Sequence, residues 1–284
     1  MTIVVKIGGA AAVDPEGALA DVAALREEGR EVVVVHGGST AVDEALEQMD
    51  IEPTYVETPD GVVGRFTDEQ TMDVFKMAMP GLVNTDIVAG LQNQGVNAVG
   101  LSGVDGQLLK GPRKSAVRVV EDGKKKIKRG DHSGTIEEVN GDLLRTLLDS
   151  DYTPVASVPM LGVESDGSFT PVNSDADRSA AAIAGELGSE GEDVDLVLLT
   201  DVSGIYEDPD DESTRIDRVD SPEDFEHLTE VAEGFMRRKT MAAQEGLQRG
   251  ASRVVVATAN ADRPISNALA GNGTTITADA LGEK

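Results

Sequence analysis

Residues 2–9 have the sequence TIVVKIGG, and residues 32–39 have the sequence VVVVHGGS. Each stretch is a short apolar run that ends in adjacent glycines, which is typical of a buried strand followed by a tight turn. We predict a helix after each turn, one opening at Asp14-Pro15 and one at about Thr40. Strand, glycine turn and helix, repeated within the first 50 residues, predict a parallel α/β sheet.

The same pattern continues along the chain. Further buried strands are predicted at 98–101, 153–158, 196–200 and 253–257, and helices at 68–79, 84–94, 141–150, 177–187 and 235–249. Two β-hairpins are predicted, with turns at Glu121-Asp122-Gly123 and Asp166-Gly167. The acidic stretches 189–195 and 207–224 are predicted surface loops. We place a domain boundary near residues 171–177, which divides the chain into residues 1–172 and 173–284.

Composition excludes several classes of function. The 284 residues carry a net charge of −27, which argues against nucleic acid and anionic membranes as main partners. The chain has no cysteine, so disulfides, thiolate metal sites and cysteine nucleophiles are excluded, and three histidines leave little for histidine-based chemistry. Since no apolar run reaches about 18 residues, we expect neither a membrane span nor a signal peptide, and a cytoplasmic location.

Lysine is scarce in this acidic chain, with 10 residues against 52 aspartates and glutamates. A folded, lysine-poor, acidic protein is typical of adaptation to a salt-rich, halophilic cytoplasm, where screening suppresses self-repulsion. A merely acidic mesophilic protein is the alternative. Residues 110–129 contain nine basic and two acidic side chains. This basic segment indicates an acidic partner, because the rest of the chain is strongly negative.

The first glycine turn follows Lys6, the sixth residue of the chain. In an open parallel sheet, ligands bind beyond the carboxyl ends of the strands, where glycine amides meet anions. A lysine there suits a phosphate, although a strand lysine that extends to solvent is the plain alternative. Arg65 could bind a carboxylate with both of its terminal nitrogens, or could be an ordinary surface arginine. No Gly-Lys-Ser/Thr phosphate loop occurs, so a nucleotide site would be of another kind.

Six segments, in order, resemble the amino acid kinase family. The resemblance covers essentially the whole chain and is strongest to the acetylglutamate kinase branch, in particular to kinases of glutamate or 2-aminoadipate attached to the carrier protein LysW. The segments are His36-Gly37-Gly38-Ser39, Gly64-Arg65-Phe66-Thr67-Asp68, Gly81-Leu82-Val83-Asn84, Gly100-Leu101-Ser102-Gly103-Val104-Asp105-Gly106, Arg129-Gly130-Asp131-His132-Ser133-Gly134-Thr135 and Arg237-Arg238-Lys239.

The resemblance implies an α/β three-layer sandwich around a central, mostly parallel sheet, with a β-hairpin extension. It implies that Lys6 and Lys239 stabilise the transferring phosphoryl group and that Asp177 orients both lysines. The substrate would be bound by Gly37, Gly38, Ser39, Arg65 and Asn173. The nucleotide would be bound by Gly8, Gly9, Thr200, Asp201, Gly204, Ile205, Tyr206, Gly234 and Met236.

The expected reaction is ATP-dependent phosphorylation of a side-chain carboxylate, in lysine or arginine biosynthesis. A carboxylate is ionised at neutral pH and needs no general base, so catalysis would depend on positioning and positive charge. Mg²⁺ would be held by phosphates and water, with no set of protein ligands. The family also implies a homodimer.

The basic segment would dock the carrier through Lys124, Lys125, Lys126, Lys128 and Arg129. A kinase of free N-acetylglutamate, with the segment serving only as a surface or dimer feature, is the main alternative. A nucleic-acid-binding module is less favoured, because only 3% of the residues are aromatic. A non-catalytic amino-acid sensor is disfavoured because both lysines and Asp177 are present.

Overall fold

A computed structural model of the chain describes residues 1–9, 15–59, 61, 63–121, 123–232 and 234–282. The strands, in chain order, are β1 Thr2–Ile7, β2 Glu31–His36, β3 Thr54–Glu57, β4 Val63–Phe66, β5 Ala98–Gly103, β6 Leu109–Glu121, β7 Lys124–Gly134, β8 Glu138–Val139, β9 Thr153–Val163, β10 Phe169–Val172, β11 Val194–Thr200, β12 Arg218–Val219, β13 Arg253–Thr258 and β14 Thr274–Thr277. The helices are α1 Pro15–Glu27, α2 Ser39–Gln48, α3 Glu69–Met77, α4 Asn84–Asn93, α5 Gly141–Asp149, α6 Ala176–Gly188, α7 Pro222–Val231, α8 Gly234–Arg249 and α9 Pro264–Leu269.

One sheet runs through the molecule in the order β12-β14-β13-β11-β1-β2-β9-β6-β7. Its centre, from β13 through β11, β1 and β2 to β9, is parallel throughout. The carboxyl ends of these strands therefore share one edge, which includes the ends of β1, β2 and β11. Strands β3 and β4 form a separate antiparallel hairpin. The predicted mostly parallel sheet is confirmed.

Helices cover both faces of the sheet, and β1 shows why. Ile3, Val5 and Ile7 pack on one face with residues of α1, α4 and α9. Val4 packs on the other face with residues of α5, α6 and α8. Successive strand side chains point to opposite faces, so a strand buried on both faces is apolar throughout. The predicted three-layer sandwich is confirmed, and Lys6 lies on the same face as Val4.

A third apolar cluster lies between α2, α3 and β9. It includes Met79, which belongs to a π-helical turn, Ala78–Val83, that joins α3 to α4. The two predicted helices are therefore parts of one continuous helical stretch, because the Met-Pro-Gly sequence within it continues as a wider turn instead of ending the helix. Such π turns are frequent at functional sites.

The predicted β-hairpin extension is formed by β6 and β7, which are longer than the sequence pattern indicated. They pair from Glu121 opposite Lys124 down to Arg113 opposite Gly134. Asp14 and Asp122, which the sequence places in a helix cap and in this turn, lie outside the described residues. The second hairpin turns at Gly167, which has a positive φ, as predicted.

The sheet is continuous across the predicted domain boundary. Strand β1 pairs with β2 of the first segment and with β11 of the second. The larger apolar cluster also contains residues of both segments. The division at residues 172 and 173 separates the two ends of one sheet, and as a division into domains it stays a prediction. Among the described residues, no helix is both long and apolar enough to cross a membrane.

Candidate active site

Two lysines from distant parts of the chain meet at one carboxylate. Lys6 Nζ lies 2.8 Å from Asp177 Oδ1, and Lys239 Nζ donates a hydrogen bond of 3.0 Å to Asp177 Oδ2. Each lysine is 6% exposed, and Asp177 is 7% exposed. The three residues predicted to act together are thus in direct contact. We call this cluster the lysine pair with its shared carboxylate.

Three elements position this cluster. Lys6 is near the carboxyl end of β1, Asp177 is in the first turn of α6, and Lys239 is in the second turn of α8. Helices α6 and α8 pack closely because glycine and alanine line their contact. A Cβ atom on Gly185 would overlap Arg249, and one on Gly246 would lie 3.5 Å from Ala181. Small residues therefore help to bring the first turn of α6 and the second turn of α8 within reach of Lys6.

Burial and charge act against each other on these groups. Burial alone would raise the pKa of Asp177, but the adjacent Lys6 and Lys239 ammonium groups outweigh it and hold that pKa well below its ordinary range. Burial lowers the pKa of Lys239, and Asp177 partly offsets this effect. Asp177 is therefore ionised at any working pH, and it stabilises two cations at a buried position.

The glycine turns after β1 and β2 touch each other backbone to backbone. A Cβ atom on Gly9 would collide with Gly38 N, and one on Gly37 would lie 2.9 Å from Gly9 N. Only glycine permits this approach. Ser39, the first residue of α2, donates its hydroxyl to Gly9 O at 3.4 Å. The predicted phosphate and substrate turns, Gly8-Gly9 and Gly37-Gly38, thus form one surface at the N-terminus of α2, where backbone N–H groups can bind anions.

A buried histidine stabilises the second turn. His36 is fully buried, and its Nδ1 lies 2.9 Å from Gly37 O and its Nε2 3.0 Å from Asn84 Nδ2. Burial is the largest of the effects that lower its pKa to about 4; the hydrogen bond to the Gly37 carbonyl opposes it, and the field of Lys6 adds to it. The neutral ring donates from Nδ1 and accepts at Nε2, so both nitrogens are occupied. This role of Asn84 was not predicted from the sequence.

Arg65 lies on β4, not directly before a helix. Its Nη2 donates to Asp43 Oδ1 at 2.6 Å and to Ser39 O at 3.2 Å. The guanidinium also lies 5.6 Å from the ring centroids of Tyr55 and Phe75, and its Nε is buried with no hydrogen-bond partner among the described residues. Arg65 is thereby fixed beside the start of α2. The turn signal Asp60-Gly61 between short apolar stretches would have indicated the β3–β4 hairpin.

Asn173 joins the end of β7 to the segment after β4. Its Nδ2 donates to Thr67 Oγ1 at 3.0 Å, and its backbone pairs with His132 and Gly134. The Thr67 carbonyl accepts from the His132 N–H. Asn173 Oδ1 is buried and lacks a hydrogen-bond partner within the described part of the chain. The structure thus brings Asn173 into contact with the Gly64–Asp68 segment that contains Arg65, and leaves an acceptor available.

The predicted nucleotide turn follows β11, next to β1 in the sheet. Thr200 Oγ1 donates to Asp201 Oδ1 at 2.9 Å, and Asp201 is exposed. Gly204 has a φ of 148°, and a Cβ atom there would lie 2.8 Å from Thr274 Oγ1. Ile205 is in the core, and its N–H donates to Thr274, so Ile205 supports the turn. Contact with a nucleotide stays a prediction for this turn and for partly exposed Tyr206.

Helix α8 contributes the other predicted nucleotide residues. Gly234 begins the helix with a φ of 53° and is exposed. Met236 packs against the large apolar cluster and is partly exposed. Both lie in the turn before Lys239, so they adjoin the lysine pair. Their contact with a nucleotide stays a prediction.

The five predicted docking residues lie on two faces of the β6–β7 hairpin. Lys128 Nζ is 4.3 Å from the centroid of the Phe66 ring, and Lys126 pairs with Glu121 at 2.9 Å. Lys124 is on the same face as these two. Lys125 and Arg129 point to the opposite face, because strand side chains alternate.

The described residues contain no group of three histidine, aspartate or glutamate side chains that could hold a metal ion. The acidic group nearest the lysine pair, Asp177, is already engaged by both ammonium groups.

Comparison with known proteins identifies relatives over nearly the whole chain. Residues 1–258 match the model of the amino acid kinase family. The [LysW]-aminoadipate kinase of Thermus thermophilus is 42% identical over 276 residues, which are 96% of this chain and 99% of that protein. The [LysW]-aminoadipate/[LysW]-glutamate kinase of Saccharolobus islandicus is 35% identical over 276 residues, which are 96% of this chain and 98% of that protein.

Solved structures share the fold. N-acetylglutamate synthase from Neisseria gonorrhoeae, in complex with coenzyme A and N-acetyl-glutamate, matches with a TM-score of 0.71 and 25% identity; the match covers 97% of this chain and 59% of that protein. Carbamate kinase from Giardia lamblia bound to AMP-PNP matches with a TM-score of 0.68 and 16% identity, covering 97% of this chain and 98% of that protein. The sequence matches and this shared architecture agree, and the chain belongs to the amino acid kinase family.

Proposed function

We propose that this protein is an ATP-dependent kinase of lysine or arginine biosynthesis, which phosphorylates the side-chain carboxylate of 2-aminoadipate or glutamate attached to the carrier protein LysW. The observation that carries the proposal is the lysine pair with its shared carboxylate, in a chain 35–42% identical to kinases named for these substrates.

In the proposed reaction, a carboxylate oxygen of the substrate attacks the γ-phosphorus of ATP, and the bond from that phosphorus to the β-phosphate oxygen breaks. The products are an acyl phosphate and ADP. A side-chain carboxylate has an ordinary pKa of about 4.3 and is ionised at neutral pH, so no general base is required. This agrees with the state of His36, whose two ring nitrogens are both occupied.

Bringing an anionic carboxylate to an anionic phosphate requires positive charge at the point of transfer. Lys6 and Lys239 supply it, on either side of Asp177. Asp177 holds the two ammonium groups a fixed distance apart and offsets their mutual repulsion. The Gly8-Gly9 turn supplies backbone N–H groups to the ATP phosphates.

The substrate's reacting end would lie at the Gly37-Gly38 turn, and Arg65 would bind its α-carboxylate. The Arg65 guanidinium is already oriented by Asp43 and by Ser39 O, which reduces the entropy lost on binding. Asn173 offers its unpartnered Oδ1 as an acceptor for a donor on the substrate.

Mg²⁺ accompanies ATP in the proposed reaction. We expect the phosphates and water to hold the ion, because Mg²⁺ keeps several of its waters and binds substrate phosphates. The nucleoside would lie against the turn after β11 and the start of α8, where Thr200, Asp201, Tyr206, Gly234 and Met236 are predicted contacts.

We also propose that the protein forms a homodimer. Met77, directly before the π turn, and Leu82, within it, are 53% and 54% exposed. Exposed apolar side chains of this size favour burial against a partner.

An ATP-dependent hydroxamate assay tests the proposal, because hydroxylamine traps acyl phosphates. We expect hydroxamate with LysW-linked aminoadipate or glutamate and much less with free N-acetylglutamate. Lys239→Ala is the control that removes phosphoryl transfer. A higher kcat/KM for N-acetylglutamate would contradict the assignment of a carrier-bound substrate, whereas absence of hydroxamate from every substrate would contradict the kinase assignment.

A further inference from the structure

The β6–β7 hairpin has two faces with different surroundings, and the strand register assigns each residue to one of them. Directly opposite residues of an antiparallel pair point to the same face. Arg118 is opposite Ile127, and Ala116 is opposite Arg129. Lys125 and Arg129 are each two residues from Ile127 on β7. Arg118, Lys125, Ile127 and Arg129 therefore share one face, which we call the outer face.

The other face, the inner face, is partly covered by the protein itself, and its end at Lys124 and Lys126 is exposed. Lys128 lies over the ring of Phe66, Val119 is completely buried, and Lys126 pairs with Glu121. Strand β3 packs against β6 on this part of the molecule. The inner face therefore attaches the hairpin to the β3–β4 hairpin, which contains Arg65.

The outer face has no ion pair among the residues that the structure describes. Arg118, Lys125 and Arg129 form no ion pair with any residue that the structure describes, although the chain has 52 acidic residues. Ile127, in the middle of these cations, is 66% exposed, the largest exposure among the large apolar side chains described. An apolar side chain ringed by charges is a common arrangement at protein interfaces, where the centre is buried and the charged rim steers the partner.

We propose that the outer face alone, with Ile127 at its centre and Arg118, Lys125 and Arg129 around it, binds an acidic surface of the carrier protein. This inference rests on the proposed function, since the occupant is the protein that bears the substrate. Charge complementarity supports it. Three cations that form no ion pair within the described part of the chain attract carboxylates, whereas the rest of a surface with net charge −27 repels them. Of the five residues predicted from the sequence, only Lys125 and Arg129 would contact the carrier directly.

Two adjacent lysines provide a matched test. Lys125→Glu and Lys124→Glu make the same charge change one residue apart, on opposite faces of the hairpin. Binding of LysW, measured by calorimetry without ATP, should weaken about tenfold for Lys125→Glu and less than about threefold for Lys124→Glu. The triple variant Arg118→Glu, Lys125→Glu, Arg129→Glu should weaken binding by about 10²-fold. Equal effects of the two single variants would overturn the assignment of faces.

The apolar centre has its own matched pair. Ile127→Ser should weaken carrier binding about fivefold, whereas Phe169→Ser, at another exposed apolar side chain, should leave it unchanged. Equal affinities of both variants and the wild type would overturn the role of Ile127.

Because calorimetry needs no turnover, it separates this inference from the proposed function. A wild type that binds LysW without forming hydroxamate contradicts only the proposed function. A wild type that does not bind LysW overturns the inference, and hydroxamate formed from LysW-linked substrate would still support the kinase.

Discussion

Positive charge is concentrated in two regions of this acidic protein, and they have opposite surroundings. Lys6 and Lys239 are buried and share one carboxylate, whereas Arg118, Lys125 and Arg129 are exposed and form no ion pair with described residues. Buried charges interact strongly and are little affected by salt, and exposed charges interact weakly and are screened. Burial therefore suits chemistry at a fixed point, and exposure suits the attraction of a partner.

The largest effect is expected from a substitution in the buried region. Lys239→Ala should lower kcat by about 10²–10³-fold, because it removes half of the positive charge at the point of transfer. The KM for the carrier-linked substrate should stay within a few-fold. Steady-state kinetics measure both, with Lys76→Ala, an exposed lysine paired with Asp73, as the control. If a high substrate concentration restored the activity of the variant, Lys239 would contribute to substrate binding instead of to phosphoryl transfer. The buried and the exposed region would then act alike.

The next variant tests the shared carboxylate. Asp177→Asn should lower kcat about 10²-fold at pH 8. Burial and the nearby Lys6 ammonium group lower the pKa of Lys239, and without the carboxylate that offsets them Lys239 loses its proton. Activity should then partly recover as the pH falls towards 6, which the wild type should not show. The measurement is kcat against pH for both proteins. A profile with the wild-type shape would contradict the role of Asp177 in keeping both lysines charged.

A stability measurement sharpens the contrast, since His36 reports the environment beside Lys6. Its pKa is about 4 in the folded protein against an ordinary 6.5. The unfolded chain therefore binds more protons between these values, and the contribution to stability is complete above pH 6.5 and is lost as the pH falls through 4.

At pH 5 the wild type should have lost about 2 kcal/mol through His36, a loss that His36→Gln should lack. Urea unfolding at pH 7 and pH 5 measures the change within each protein, so that the effect of the substitution itself cancels. Equal losses in the two proteins would show that His36 is not held neutral by burial.

The smallest expected effect concerns the exposed region. Raising KCl from about 0.1 to 1 M should increase the KM for the carrier-linked substrate a few-fold and leave the KM for ATP nearly unchanged, because only exposed charges are screened. The dependence on salt should be weaker in the outer-face triple variant. Thermal unfolding at each KCl concentration is the control, and a midpoint that rises with salt would support the expected halophilic adaptation.

The central part of the fold was predictable from local patterns. The apolar runs Thr2–Ile7 and Val32–Val35, each followed by glycines, identified the central strands, because buried parallel strands are apolar throughout. The approach of Lys6, Asp177 and Lys239 followed only from the resemblance. No local pattern relates residues that are 62 positions or more apart.

Other features depend on long-range contacts. Asp195 was assigned to an acidic surface loop, but it is buried in β11 because Arg253 donates to both of its carboxylate oxygens at 2.8 Å. That side chains along β7 alternate between two faces follows from the predicted hairpin. Which face is covered does not, because it depends on Phe66 from a different hairpin. The four-residue strands β3 and β4 are too short for periodicity to identify.

The contact between Gly9 and the Gly37-Gly38 turn has a consequence for the choice of substrate. Main-chain atoms of the two turns touch. In the proposed site, where these turns hold the phosphate donor and the acceptor, side-chain substitutions nearby cannot widen the gap between the two. An acceptor that is longer by one methylene group must gain its room at its opposite end, around Arg65 and the β3–β4 hairpin. Selection between short and long acceptors is therefore expected to change residues in that hairpin and to leave the reacting end of the cleft as it is.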